Sequence, residues 1–550
     1  MRKFSITTFV FFVGALFALT ACGAINPQVT PFYTPPAPLP PGKPGEIIKT
    51  EKIETNNAQV QAWRVMYHSR DLQGKDVAVT GLFAAPAAPA PEGGYPLLAI
   101  AHGTEGLARQ CAISLDPWGL PSIAGDYLSF PDTVIAPFVE AGYAVTAPDY
   151  QGLGAPGASS YLVGETTAQN IFDSMRAARS FSEFTLSAKN FLWGHSQGGH
   201  AVAFAAQLGQ TIAPDIPLDG IVMVAPATEL ERGIREALAS PRANLATGLG
   251  MMIAGAWKQA YNVPPETIFT EAGIQEAPKV FQDCVIGTLT TFAGKPPATY
   301  FKTNPLDTLP WSEILQENTP QTVLYPAPMF VAQGISDIII LPSITTSFVE
   351  KMCATQNSIE YQSYEGADHV QVVKASRADI VAWLDARVKN EPAPNNCPTL
   401  TQTATITPTT SITPTATLTP TRIITPTVAA VTPIASIPFD GVIFTDGDWT
   451  PTQEMIALLE WRLPEYLAQN QNKFNATKPP IVERLAQYKT QYWGEIENGK
   501  RVIFVNAMCR AFPDWQTRRI FVADGGDCFF NVKYNADSGT FFDLLVNGEA

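Results

Sequence analysis

Apolar residues along this chain fall in short runs, and the character of the runs changes from one region to the next. Those at 96–101, 143–148, 190–193, 218–225, 328–332 and 358–364 are aliphatic or β-rich and are separated by helix-length stretches. That alternation predicts a mainly parallel sheet covered by helices. Between 228 and 321 the alternation stops, and helical stretches such as Ala243–Tyr261, rich in Leu, Met, Ala and Gly, predict an inserted cap. After 438 the pattern changes again. Thr450-Pro451-Thr452-Gln453 reads as an N-cap with proline at N1 and a capping-box Gln, opening a helix toward Leu467 with a kink at Pro464. Glu497-Asn498-Gly499-Lys500 is a type I′ hairpin signal between strands at 491–496 and 501–505, with further strands expected at 519–523, 529–534 and 540–546. The last block is therefore a small α+β domain.

Three stretches belong to none of these patterns. Met1-Arg2-Lys3 followed by the apolar residues 4–19 reads as an export signal, and Leu19-Thr20-Ala21-Cys22 resembles a bacterial lipobox, in which cleavage precedes the cysteine and that cysteine is acylated. An uncleaved membrane anchor is the alternative, since the apolar stretch approaches the length of a spanning helix. Prolines then crowd 26–44, as in an extended tether, and Thr-Pro-Thr recurs at 407–409, 413–415, 419–421 and 425–427. So short a repeat cannot bury a core and reads as a semi-rigid, polyproline-like or glycosylated stalk. The chain thus divides into a signal (1–21), a tether (22–45), a first domain (46–398, cap about 228–321), a linker (399–437) and a C-terminal domain (438–550). The expected location is extracytoplasmic, on the membrane carrying the lipid anchor.

Charge removes one class of function. Over 550 residues, 36 Lys and Arg against 50 Asp and Glu give a net charge of −14, which offers nucleic acid no electrostatic footprint. Charged residues are only 16%, yet the hydrophobic fraction of 46% is ample for a large core, which excludes global disorder. Setting Cys22 aside leaves six cysteines, an even set suited to disulfides outside the cytosol. Cys509 and Cys528, beyond the linker, most simply pair together. Three pairings remain for the other four, of which Cys111–Cys284 with Cys353–Cys397 is favoured.

Gly194-His195-Ser196-Gln197-Gly198 fits G-x-S-x-G, preceded by a strand and followed by a helix, the setting in which a tight turn lifts a serine hydroxyl out of a sheet. A serine is a weak nucleophile until a base takes its proton. In the order serine, acid, histidine, the residues His68, His102 and His195 come too early and His200 lies in the helix after the elbow; His369 remains, in a loop after a strand. The acid is expected in the loop after the preceding strand, which makes Asp337 the candidate and its neighbour-of-histidine rival Asp368 the poorer choice. Backbone donors for a tetrahedral intermediate are expected from Gln197 and from the loop His102-Gly103-Thr104-Glu105-Gly106, at Thr104 and Glu105. Gly152-Leu153-Gly154-Ala155-Pro156-Gly157 matches a dinucleotide fingerprint only formally, because Pro156 breaks the turn and Asp173 falls within a helix. Asp149 reads as the pin of that loop, and Trp449, Trp461, Trp493 and Trp515 as core residues of the last block rather than a sugar platform. No metal or nucleotide motif occurs and no cofactor is expected.

Taken together, Ala101-His102-Gly103-Thr104-Glu105-Gly106 with Cys111 soon after, Asp149-Tyr150-Gln151-Gly152-Leu153-Gly154, the elbow, Gln333-Gly334-Ile335-Ser336-Asp337 and Gly366-Ala367-Asp368-His369 resemble the secretory lipases of the fungal lipase A type and their bacterial relatives. The likeness spans about residues 60–390. It implies an α/β-hydrolase fold with a mainly parallel sheet, a Ser196-Asp337-His369 triad, a helical cap over an acyl pocket, and disulfides placed like those favoured above. The chain departs from the family in Ala112-Ile113-Ser114 after Cys111, in its lipid anchor and in its C-terminal block. The function expected is hydrolysis of carboxylic, acylglycerol-type esters through an acyl-enzyme. Alternatives are an acyltransferase or peptidase using the same triad, or a surface-binding lipoprotein with a vestigial hydrolase and a cell-envelope ligand for its C-terminal domain.

Overall fold

The structure, a computed structural model, describes residues 29–116, 118, 130–239, 243–397, 441–451, 453–475, 478–497, 499–510, 512, 514–520, 522, 528–536 and 540–547. The signal at 1–21, Cys22 and the linker at 399–437 lie outside the described residues. Nine strands form the larger sheet: β1 (Ile47–Ile53), β2 (Val60–Arg70), β3 (Asp76–Pro86), β4 (Tyr95–Ala101), β5 (Ala144–Pro148), β6 (Leu186–His195), β7 (Gly220–Val224), β8 (Met329–Gly334) and β9 (Ile359–Tyr364). Their order is β1-β2-β3-β5-β4-β6-β7-β8-β9. The six apolar runs are the six parallel strands β4 to β9, and β1 to β3 add an antiparallel edge.

Side chains alternate between two hydrophobic layers, as the two-residue period of a strand requires. Leu97, Ala99 and Met223 pack on one face with Ala201, Val202 and Phe172, while Leu98, Ile100 and Val224 pack on the other with Trp383 and Leu384. Both faces being covered, β7 is buried along its whole length, which is why it reads as a continuous apolar run. Helices α1 (Gly164–Ser180) and α2 (Gln197–Ile212) cover the first face, and α7 (Arg377–Val388) the second. The helical stretch after His369 is interrupted at Ser376 and forms two pieces, Gln371–Ala375 and α7.

Between β7 and β8 the chain leaves the sheet to build the cap, with α3 (Leu230–Ala239), α4 (Ala243–Tyr261), α5 (Val285–Phe292) and α6 (Trp311–Glu317). Its separate core gathers Met251, Met252, Trp257, Phe269, Phe292 and Trp311, and Leu107 and Tyr161 from the hydrolase loops join it. Among the described residues no helix is long and apolar enough to cross a membrane.

One feature of the N-terminal region corrects the sequence reading. The stretch 22–45 reads as a tether, yet from Val29 onward it lies on the domain. Tyr33 is fully buried, Gly45 N–H donates to His68 O at 2.8 Å, and Gly42 O accepts from Arg70 Nη2 at 2.7 Å. Two aromatic residues, Phe32 and Tyr33, supply the burial that proline-rich composition hides, and the prolines lower the entropy lost when the segment docks.

Beyond the linker a second sheet has the order β10-β11-β12-β13-β14, with β10 (Gly441–Ile443) parallel to β11 (Lys489–Glu497) and β12 (Lys500–Met508), β13 (Phe529–Asn535) and β14 (Thr540–Val546) antiparallel. Helix α8 (Gln453–Gln469) keeps Pro464 inside it and buries Ile456, Leu459, Leu463 and Leu467 with the sheet residues Val505 and Phe530. The strand expected near 519–523 is absent from the described part of that stretch. Ile520 N–H instead donates to the Gln491 side chain at 2.9 Å, and Asn506 Nδ2 donates to Ile520 O, so side-chain amides replace ladder bonds there. Trp493 is buried and stacked on Phe504 at 4.5 Å, and Trp515 is buried as well, which leaves neither ring free as a platform.

Candidate active site

The elbow sits where β6 gives way to α2. Ser196 adopts φ 56°, ψ −115°, a left-handed conformation that costs a non-glycine residue on the order of 1–3 kcal/mol. The surrounding backbone holds it there. Ser196 N–H donates to Val224 O at 3.0 Å, and Ser196 O accepts from His200 N–H and Ala227 N–H at 3.1 Å each. The flanking glycines are required by close approach. A Cβ on Gly194 would lie 2.1 Å from Gly198 O, and one on Gly198 would lie 1.9 Å from Ala101 O, so the turn closes only if both positions lack side chains.

His369 and Asp337 arrive from the ends of the neighbouring parallel strands. Asp337 follows β8 and His369 follows β9, and His369 Nδ1 lies 2.7 Å from Asp337 Oδ2 with both residues buried. With Nδ1–H donating to the carboxylate, Nε2 is left as the basic nitrogen. The second carboxylate oxygen, Oδ1, accepts from the main-chain N–H of Ile339 at 2.9 Å and Ile340 at 3.0 Å, while Gln333 Nε2 reaches Oδ2 at 3.2 Å. Asp368 is engaged elsewhere. Its Oδ1 accepts from Val370 N–H at 3.0 Å and Gln371 N–H at 2.8 Å, opening the short helix that follows.

Sequence reasoning passed over His195, yet it joins the serine to the histidine loop. Its Nε2 lies 2.8 Å from His369 O, and the two imidazole rings are 4.7 Å apart. Burial, together with the neighbouring His369, lowers its pKa to about 3 and keeps the ring neutral. A cation at that distance would oppose protonation of His369. His102 is neutral for the same reason, with burial lowering its pKa to about 4. No spacing rule could have singled out His195, because its partner is a main-chain carbonyl.

The loop after β4 lies against the elbow. A Cβ on Gly103 would be 3.2 Å from His195 Nδ1 and 3.8 Å from Ser196 Cβ. Thr104 Oγ1 is 3.1 Å from Tyr161 OH, and Glu105 O accepts from Val285 N–H at 2.8 Å, at the start of α5. Gly106 forms an isolated bridge with Cys284, and Cys284 is disulfide-bonded to Cys111. This disulfide joins residues 173 apart and, by loop entropy, stabilises by about 5 kcal/mol while stapling the loop to the cap. The other disulfides are Cys353–Cys397 and Cys509–Cys528. Gln197 opens α2, so its N–H has no acceptor in a preceding turn and stands at the positive end of a 16-residue helix. Asp149 pins the 108–115 turn, accepting from Ser114 N–H at 2.9 Å and Ser114 Oγ at 2.5 Å. Burial raises its pKa against the pull of those hydrogen bonds. Among the described residues no group of His, Cys, Asp and Glu could hold a metal ion.

The family model described as secretory lipase matches residues 124–396. A Mycobacterium tuberculosis protein named as a probable inactive lipase is 23% identical over 380 residues, 66% of this chain and 83% of the relative. The trichothecene C-3 esterase of Fusarium sporotrichioides is 26% identical over 408 residues, 70% of this chain and 88% of the relative. Among solved structures, lipase A of Candida antarctica in its closed state is similar with a TM-score of 0.57 and 21% identity, covering 67% of this chain and 88% of that one. That likeness establishes the α/β-hydrolase fold, and residues 124–396 match the secretory lipase family.

Proposed function

We propose that this protein is a serine hydrolase of carboxylic esters. Ser196 Oγ attacks the ester carbonyl while His369 Nε2 takes its proton, and the same proton passes to the departing alkoxide. Asp337 fixes the tautomer of His369 and stabilises the imidazolium. The N–H of Gln197 and the main chain of Thr104 and Glu105 receive the oxyanion, and water then hydrolyses the acyl-enzyme. The observation that carries this reading is the 2.7 Å contact between His369 Nδ1 and Asp337, on a loop held through His195 beside the elbow serine. The mycobacterial relative's inactive designation belongs to that relative; here the serine, acid and histidine are all present at the strand ends the fold uses.

An apolar cap, inserted between β7 and β8, would favour medium or long acyl chains over the site. Hydrolysis of nitrophenyl esters from acetyl to palmitoyl is expected to rise in kcat/KM by up to about fifteenfold per added pair of methylenes until the pocket fills, at about 0.8 kcal/mol per buried CH₂. A profile peaking at acetyl would count against an acyl-binding cap. Added alcohols and amide substrates separate hydrolase from acyltransferase and peptidase, because product then partitions to the alcohol or amides are cut.

We also propose that the protein is an extracytoplasmic lipoprotein anchored through Cys22. Support comes from the Leu19-Thr20-Ala21-Cys22 sequence and from three disulfides, which belong to an oxidising compartment. A diacylated chain is held stably where a single acyl chain is not. Cys22→Ser is expected to move the protein from the detergent-soluble membrane fraction to the aqueous one; an unchanged membrane fraction would mean that the apolar segment 4–19 is the anchor.

A further inference from the structure

The docked proline-rich segment touches the site through a continuous set of contacts. The Tyr33 side chain fills a buried cluster with Ala108, Cys111, Leu115 and Leu153. Its hydroxyl lies 2.8 Å from Ser114 Oγ, and Ser114 is the residue whose N–H and hydroxyl both go to the buried carboxylate of Asp149. The third donor to that carboxylate is Thr80 Oγ1 at 2.6 Å, from β3. The main chain of Tyr33 is held as well. Its carbonyl accepts from Arg109 Nη2 at 3.0 Å, and Arg109 Nε donates to Gly154 O at 2.8 Å. One aromatic residue therefore grips both Arg109 and Ser114, on either side of Cys111.

From Cys111 the chain of contacts runs on without slack. A Cβ on Gly106 would lie 2.9 Å from Cys111 Sγ and 2.7 Å from Cys284 Cα, and Gly106 directly follows the loop that borders Ser196. The 108–115 turn cannot shift without moving the 103–106 loop, the Cys111–Cys284 bond or both. The segment itself is fixed at its far end. Gly42 N–H donates to Asp76 Oδ2 at 2.9 Å, and Lys49 Nζ donates to Thr34 O at 2.9 Å.

We propose that residues 31–45 act as a strap, and that Tyr33 within it is a positioning residue for the 103–106 loop, setting the oxyanion donors relative to Ser196 through Arg109, Ser114 and Cys111. The inference rests on the serine-hydrolase reading above. Tyr33 touches no reacting atom, so its contribution is to the geometry of the transition state. A displacement of about 1 Å at such donors costs roughly 10²-fold in rate.

The test uses the full chain in detergent, with Tyr33→Ala, Tyr33→Phe and Arg109→Gln, one soluble ester, and phosphonylation by a fluorophosphonate, all at a temperature well below the Tm of each variant. Tyr33→Ala is expected to lower kcat and the phosphonylation rate together by about 10- to 100-fold, with KM within about threefold. Tyr33→Phe keeps the ring and is expected to restore most of both, while Arg109→Gln lowers kcat by about 3- to 10-fold. A purely structural role would lower Tm and leave kcat alone. Folded Tyr33→Ala with kcat within about twofold of wild type, or with only KM raised, overturns the proposal. If Tyr33→Ala does not fold, Arg109→Gln decides by the same two readouts. A wild type that neither turns over nor labels overturns the hydrolase reading itself; an active wild type with indifferent variants overturns the strap alone.

Discussion

Replacing Ser196 by alanine is expected to lower ester turnover by about 10⁶ and to abolish fluorophosphonate labelling. The substitution removes one oxygen and little else. The strained turn is held by the Ser196 main chain, through Val224 O, His200 N–H and Ala227 N–H, and alanine keeps all three bonds. Its Cβ meets the same left-handed penalty as that of serine, so the Tm of the variant is expected to match the wild type. What survives should be the residual catalysis of the oxyanion donors and of binding, about 10³- to 10⁴-fold over water. A variant that still labels, or that keeps more than about one part in 10³ of the turnover, would place the nucleophile elsewhere and end the proposed mechanism.

The sequence made some parts of this molecule readable and hid others for physical reasons. The parallel strands were legible because burial on both faces leaves no polar residue to interrupt the apolar run, as along Gly220–Val224. Strands β2 and β3 escaped notice because they lie toward the antiparallel edge and carry polar residues such as Arg64, His68 and Thr80 among the apolar ones. The elbow was legible because its glycines answer to backbone atoms under 2.2 Å from where a Cβ would stand, a constraint no other residue satisfies. His369 and Asp337 emerged by order along the chain, and the structure brings them into contact. His195 and Tyr33 did not emerge. Each works through a partner far away in sequence, a main-chain carbonyl 174 residues on for His195 and a serine 81 residues on for Tyr33, and local pattern carries no trace of such a contact.

The same distinction explains why composition misread the N-terminal segment. Proline content reports the stiffness of a stretch of chain and says nothing of whether a surface awaits it. Here that surface is made by Cys111, Leu115 and Leu153, on loops that follow the paired strands β4 and β5. A stiff segment loses less entropy on docking than a flexible one, so the composition that suggests a spacer also suits a strap.

Asp337→Asn is expected to lower kcat by about 10⁴ while leaving KM and the fold nearly intact. Asp337 is buried and receives only donors: His369 Nδ1 and Gln333 Nε2 at Oδ2, and the N–H groups of Ile339 and Ile340 at Oδ1. An asparagine must turn its NH₂ toward one of these pairs. Facing the two main-chain N–H groups would leave buried donors unsatisfied, at about 1–3 kcal/mol each, and those groups cannot rotate away. Facing His369 costs less, because an imidazole can move its proton from Nδ1 to Nε2. That orientation prevails, and it leaves Nε2 protonated, unable to accept the proton of Ser196. The rate therefore falls through the wrong tautomer, with substrate binding untouched. Asp368→Asn is the matched control, since an amide oxygen can still accept from Val370 N–H and Gln371 N–H, and its kcat is expected within about twofold of wild type. Should the two variants exchange these outcomes, the acid of the site would be Asp368, and the contact seen at His369 would have to be rebuilt before turnover.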